Sequence, residues 1–313
     1  MRALITGVSG FVGGHLANHL ATRGAEVFGA DRLSQSPVNA NLAAPLFVGD
    51  LLDESFVRAA LADIKPTHIF HLAGILSGAP GGYEAQYRVN VLGTAAIFET
   101  LRSLGLSPWV LVASSSGVYG APQQQPIDES CCWQPLTHYA ASKAAQEMAA
   151  LQAHLAYGIP LVRTRTFNMI GTGQALSLLT SDLAQQVVAA EAGGQPVMRV
   201  GNVTARRDFS DVRDVVRAYA LLADKSGAGG VFNVCSGSSH SVQECIDVFM
   251  QLARVPLQLE VESSRIRTTE IDEQVGDPRK LFRATGWQPE ISFSDSLKDL
   301  LEHHRQRHRN GEN

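Results

Sequence analysis

The chain has 313 residues, enough for one large domain or two closely associated ones, and chains of about that size bury roughly 75% of their unfolded surface. Hydrophobic residues make up 45% and charged residues 18%, and the net charge is −4. This is an ordinary globular composition, and it excludes the broad basic field of a nucleic-acid-binding protein. The one basic cluster, His303 to Arg309, reads as a solvated helix end. No uninterrupted apolar run approaches the ~20 residues of a membrane helix, and MRALITGVSG reads as a strand and a turn rather than a signal peptide. The four cysteines, Cys131, Cys132, Cys235 and Cys245, show neither zinc spacing nor a disulfide framework, which favours a reducing, cytoplasmic setting.

In chain order, strand-like runs fall at 2–6, 26–30, 46–48, 67–71, 109–113, 160–164 and 231–235. Segments of helical period fall at 12–22, 54–62, 84–104, 138–157 and 211–223. Strands alternating with helices predict an α/β fold, a Rossmann-type doubly wound parallel sheet. After about residue 166 the alternation loosens, which predicts a smaller C-terminal substrate-binding lobe over 167–210 and 236–313, with 211–235 returning to the main sheet and residues 1–166 forming the rest of it.

The first strand runs into TGVSGFVGGHL, which spaces Gly7, Gly10 and Gly13 between a strand and a helix, with Phe11 and Val12 opening the helix. Such a turn lets a backbone approach a pyrophosphate and offers it unpaired helix N–H groups. Asp31, ending the second strand, is placed to hold an adenosine ribose. Asp31 favours NAD(H), while Arg32 beside it, able to hold a 2′-phosphate, leaves NADP(H) open. Asp50, with Leu51 after it, is expected either to accept from the adenine amino group or to cap helix 54–62. Leu72, Ala73 and Gly74 end a strand with the small residues that a backbone passing a cofactor needs. No metal cluster is expected.

In YAASK, Tyr139 and Lys143 sit one helical turn apart on one face. A free phenol titrates near 10, and a neighbouring ammonium would bring it toward the working range. The serines of VASSSGVYG stand at a strand end, the place where open parallel sheets bind ligands.

TGVSGFVG, HLAG, NVLGT at 90–94, SSSGVYG, YAASK and RDFSDVRD at 207–214 together resemble the extended short-chain dehydrogenase/reductases that act on nucleotide sugars, over almost the whole chain. The resemblance implies a catalytic triad of Ser115, Tyr139 and Lys143, a cofactor contact from Asn90, and substrate contacts from Ser115, Ser116 and Asn168. Dehydratases of this kind carry an acid just after the catalytic Ser/Thr, where this chain has Ser116 and Gly117. GNVTARRDFSDVRD and RIRTTEIDEQVGDPRKL resemble segments of enzymes handling GDP-mannose derivatives, with Thr268 in place of a proline. By that resemblance Arg207 and Arg267 hold the nucleotide phosphates and Glu270 touches ribose.

The implied reaction is NAD(P)H reduction of GDP-4-keto-6-deoxy-D-mannose at C4, giving GDP-D-rhamnose. The rival reading is a nucleotide-sugar 4-epimerase with bound NAD, and a reading of another class is a non-catalytic NAD(P)-binding regulator. Helices 84–104 and 139–157 resemble the pair through which the family forms homodimers, although the small face of Ala140, Ala141, Ala144 and Ala145 could equally pack on the sheet.

Overall fold

The structure is a computed structural model that describes residues 1–34, 38, 40–225, 229–265 and 271–311. In chain order the first half comprises β1 (Arg2–Thr6), α1 (Phe11–Thr22), β2 (Glu26–Asp31), β3 (Phe47–Val48), α2 (Glu54–Ile64), β4 (His68–His71), α3 (Gly82–Tyr87), α4 (Thr94–Leu104), β5 (Trp109–Ser115), α5 (His138–Tyr157) and β6 (Leu161–Thr166). There follow β7 (Asn168–Ile170), α6 (Leu179–Glu191), β8 (Val197–Val200), β9 (Arg206–Asp211), α7 (Val212–Lys225), β10 (Gly230–Val234), β11 (Ser239–Ser241), α8 (Val242–Leu252), β12 (Gln258–Val261), β13 (Glu273–Gln274), α9 (Arg279–Thr285) and α10 (Phe293–Arg309).

Seven parallel strands form the main sheet in the order β3-β2-β1-β4-β5-β6-β10. The apolar runs of β1 and β5 are buried on both faces, as a helix-covered parallel sheet requires. One face packs Leu16 and Leu20 of α1 with Val215, Val216 and Tyr219 of α7, joined by Leu281 and Trp287 from the C-terminal region. The other packs Val57 and Leu61 of α2 with Ile97, Phe98 and Leu101 of α4 and Ala150 of α5. A separate core gathers Leu183 and Val187 of α6, Phe209 of β9, Ile246 and Phe249 of α8, and Leu297, Leu300 and Leu301 of α10. Around it, β9 pairs with β7, β11 and β13, and β8 pairs with β12.

Two local expectations are corrected. The helical run 84–104 is not one regular helix, because Arg88–Gly93 form a wider π-helical turn between α3 and α4. Such turns recur at functional sites, and this one carries Asn90 inward to 0% exposure. The basic tail is only partly solvated. Arg305 is buried against Glu191, and His304 is buried against Ser181, so α10 closes the second core as well as ending the chain.

The RDFSDVRD run organises the junction between the cores. Asp208 accepts from the N–H groups of Ser236, Gly237 and Gly276 and from the Ser236 hydroxyl. Asp211 accepts from Arg213 and from Ser296. Asp214 accepts from the N–H groups of Glu290 and Ile291, while its carbonyl receives the Trp287 indole N–H at 2.9 Å.

Candidate functional site

The sheet changes direction between β1 and β4, and the glycine turn lies at the carboxyl end of β1 at that switch point, where an open α/β sheet forms a ligand crevice. Gly7 has φ +75°, and a β-carbon there would lie 2.7 Å from the Ala73 N. One on Gly13 would lie 2.3 Å from the Gly7 carbonyl oxygen. These glycines are therefore required first by the turn's own backbone. The close passage expected for a pyrophosphate is a consequence of that compact geometry. Helix α1 starts at Gly10 with no side-chain cap and no acid in its first turn, so its leading N–H groups and the positive end of its dipole suit a phosphate. The residues present fit a dinucleotide. Gly7→Ala is expected to cost at least about 2 kcal/mol from left-handed strain and overlap, with weaker dinucleotide binding, measurable by thermal unfolding and cofactor titration.

Phe11 and Val12 open the helix half-buried, and Phe11 meets the His15 ring edge-on at 5.6 Å. Asp31 accepts from Ser9 N at 2.9 Å and Leu33 N at 3.1 Å, which ties the glycine turn to the end of β2. Arg32 beside it is exposed. Asp50 does not cap α2. Its carboxylate accepts from Leu52 N, and the cap is Asp53, which accepts from Ser55 N and Phe56 N. Leu51 packs under α2 and α4. Leu72 N and Ala73 N donate to Thr6, at its carbonyl and its hydroxyl respectively. Gly74 lies where Asn90 and Lys143 converge, for a β-carbon there would sit 3.0 Å from Asn90 Oδ1 and 3.8 Å from Lys143 Nζ. The Asn90 amide holds Ile75 at both its N–H and carbonyl and donates to Ser142 of α5 at 2.9 Å. Asn90 thus braces the loop after β4 against α5.

Thr137 caps α5, and Tyr139 and Lys143 follow on one face. The Tyr139 hydroxyl faces Ser115 at the end of β5, close enough for that hydroxyl to favour the phenolate, and the Ser115 Oγ accepts from Gly117 N at 3.1 Å. Lys143 is 5% exposed and donates to the Ala113 carbonyl, two strand positions before Ser115. Ser115, Tyr139 and Lys143 therefore meet at the ends of β4 and β5. Burial pushes the Tyr139 phenol up to about 12 and the Lys143 ammonium down to about 8. Burial outweighs any lowering of the phenol by the ammonium, whose Nζ is directed at the Ala113 carbonyl.

The other expected positions divide. Ser116 is turned away: it is 5% exposed, and its hydroxyl donates to Gln274 Oε1 at 3.0 Å. Its neighbour in sequence faces Tyr139, while Ser116 joins the end of β5 to β13. Asn168 is half-buried and donates to the Asp208 carbonyl at 3.3 Å. Arg207 is half-buried, with a guanidinium N–H donating to the Arg206 and Ile271 carbonyls. Arg267 and Glu270, with Thr268, lie outside the described residues. Among the described residues no helix is long and apolar enough to cross a membrane, and no group of three or more His, Cys, Asp or Glu could hold a metal ion.

Sequence reasoning missed a buried polar chain behind the site. His71 is hydrogen-bonded to Thr6 and Thr94 at 2.7 Å each, and Gln146 of α5 donates to the Thr94 hydroxyl at 2.9 Å. Burial, and Lys143 nearby, push His71 down to about 3, so it stays neutral. Glu147, fully buried and bonded by Arg165, was also missed. Its spacing of four residues from Lys143 was the available signal.

A doubly wound sheet with a glycine turn at its switch point, and a Ser–Tyr–Lys cluster two strands away, defines a dinucleotide-dependent dehydrogenase/reductase. Residues 4–300 match the family described as GDP-mannose 4,6 dehydratase, and the chain belongs to that family. It is 34% identical over 306 residues to GDP-6-deoxy-D-mannose reductase of Pseudomonas aeruginosa, covering 96% of each chain. It is 28% identical to GDP-6-deoxy-D-talose 4-dehydrogenase of Aggregatibacter actinomycetemcomitans over 91% of this chain and 92% of that one. Among solved structures, RMD from Pseudomonas aeruginosa complexed with NADPH is 32% identical, with a TM-score of 0.85 over 97% of this chain and 98% of that one. UDP-glucose 4-epimerase of Thermus thermophilus complexed with NAD is 28% identical with a TM-score of 0.85, covering 97% and 99%.

Proposed function

We propose that the protein is an NAD(P)H-dependent reductase that converts GDP-4-keto-6-deoxy-D-mannose to GDP-D-rhamnose. The observation that carries this reading is the convergence of Ser115, Tyr139 and Lys143 at the ends of β4 and β5, beside the glycine turn. The name of the Pseudomonas aeruginosa relative supports the sugar and the direction. No carboxylate is hydrogen-bonded to Ser115 or Tyr139 among the described residues, which favours reduction over elimination of water.

A reduced nicotinamide, when bound, supplies a hydride. The glycine turn and the start of α1 would hold its pyrophosphate, and Lys143 its ribose. Ser115 donates a hydrogen bond to the C4 oxygen of the sugar. Tyr139 gives that oxygen its proton, and a phenol at about 12 is still protonated at neutral pH when the proton is needed. The charged Lys143 then stabilises the phenolate left behind. Asn168 and Arg207 would face the nucleotide diphosphate, with Arg267 and Glu270 as further contacts. We further propose a homodimer through the outer face of α4 and α5. Ala140 and Ala144 turn inward, whereas Met148 and Leu155 are 52% and 75% exposed.

Because Lys143 acts in its charged form, activity is expected to be full below its pKa and lost as pH rises through about 8. The kcat/KM for the reduced cofactor, which reports the free enzyme, should show that alkaline limb. Mixing the protein with the keto sugar and either reduced cofactor tests the reading. Loss of nicotinamide absorbance is expected, and no loss with either cofactor would refute it.

A further inference from the structure

The three reacting groups of the proposed site contain one charge, on Lys143, and the protein buries it almost completely. One helical turn further along α5 lies Glu147, at 0% exposure. Its carboxylate accepts from Arg165 Nε at 3.0 Å and 3.3 Å and from a second Arg165 nitrogen at 3.1 Å, with Arg163 at 3.7 Å. Two buried guanidiniums thus hold one buried carboxylate, and Lys143 lies one helical turn from it on α5. Both guanidiniums, on β6, are fixed by other bonds as well: Arg165 donates to the Tyr119 hydroxyl and the Glu129 carbonyl, and Arg163 to the Gly229 carbonyl. Among the described residues Lys143 is hydrogen-bonded only to the Ala113 carbonyl, and Glu147 is the one acidic side chain on its helix.

We propose that Glu147 is a positioning residue for the reduction: acting through Lys143, its carboxylate keeps the ammonium charged beneath Tyr139, while Arg163 and Arg165 hold that carboxylate in place and moderate its field. The proposal rests on the reductase reading for its link to turnover. The remaining titratable neighbours do not take this role. His71, from β4, is neutral, and Tyr139 is protonated. Glu129 is hydrogen-bonded to Asn233 and Arg165, and Tyr119 is a hydroxyl between Arg165 and Asn233. Glu147 is accordingly the counter-charge whose loss Lys143 would register, and its field acts to raise the Lys143 pKa against burial.

The test compares the wild type with Glu147→Gln, Glu147→Asp and Arg163→Met. Two pH profiles are read: kcat/KM for the reduced cofactor, and cofactor affinity from nicotinamide fluorescence, which needs no sugar. Glu147→Gln should move the alkaline limb down by about one pH unit, with activity near pH 6 within a few fold of wild type. Glu147→Asp should restore most of the shift. Arg163→Met frees the carboxylate from one competitor and should move the limb up. A uniform loss of activity at every pH, with both limbs unmoved, overturns the proposal and leaves Glu147 a structural anchor. If Glu147→Gln does not fold, the direction of the Arg163→Met shift decides: upward supports the proposal and unmoved overturns it. Shifting binding limbs without turnover of the keto sugar would fault the proposed reaction and leave this inference standing.

Discussion

Tyr139→Phe is expected to lower kcat by about 10²- to 10⁴-fold, the usual contribution of a positioned proton donor, while leaving cofactor affinity within a few fold. The reason lies in what the hydroxyl touches. It faces Ser115, the residue proposed to meet the sugar oxygen. The ring stays in place when the hydroxyl is removed, because α5 is fixed independently by its Thr137 cap and by the Asn90–Ser142 bond. Steady-state turnover together with fluorescence titration of the cofactor separates the two effects. Loss of turnover with retained binding is also what distinguishes an enzyme from a regulator that merely binds NAD(P). A variant that turns over normally would remove Tyr139 from the chemistry.

Asp208→Ala is expected to have the largest effect on stability. The carboxylate is 0% exposed and accepts four bonds, from Ser236 N at 2.7 Å, Ser236 Oγ at 2.7 Å, Gly237 N at 2.9 Å and Gly276 N at 3.2 Å. These join β9, the loop after β10 and the segment leading to α9. Removing the acceptor leaves several buried donors without partners, each costing about 1–3 kcal/mol when unsatisfied. A total of about 3–5 kcal/mol follows, or a fall in Tm of roughly 5–8 °C for a chain of this size. Burial pushes the Asp208 carboxyl up, so the four donors offset a desolvation cost rather than adding to a strong ion pair. A Tm within a degree or two of wild type would show that the loops close without this carboxylate.

The parts of the site that were legible in the sequence are those fixed by short-range geometry. The strand, glycine turn and helix occupy Arg2 to Thr22 without interruption. Tyr139 and Lys143 are one turn apart on a helix whose alanine-rich sequence leaves little doubt about its period. The parts that were not legible depend on partners far along the chain. Ser116 was expected beside the substrate, but its hydroxyl is bonded to Gln274, 158 residues away. Asp50 was expected to contact adenine or cap helix 54–62, and the start of α2 at Glu54 gives the cap to Asp53 instead. The π-helical turn at Asn90 has an ordinary helical pattern, because the extra residue is fixed by the tertiary bonds of Asn90 to Ile75 and Ser142. The tail read as solvated because it is rich in charge, and Glu191 and Ser181 of α6 are what bury Arg305 and His304.

The most direct test of the central claim follows the hydride itself. The protein is supplied with GDP-4-keto-6-deoxy-D-mannose and a reduced cofactor carrying deuterium at the transferable position, and the sugar product is examined by NMR and mass spectrometry. The account predicts one cofactor oxidised for each sugar reduced, deuterium at C4, and GDP-D-rhamnose as the product. Interconversion of nucleotide hexoses with no net oxidation of cofactor and no deuterium retained from solution cofactor would contradict it, and would make the Ser115–Tyr139–Lys143 site that of an epimerase.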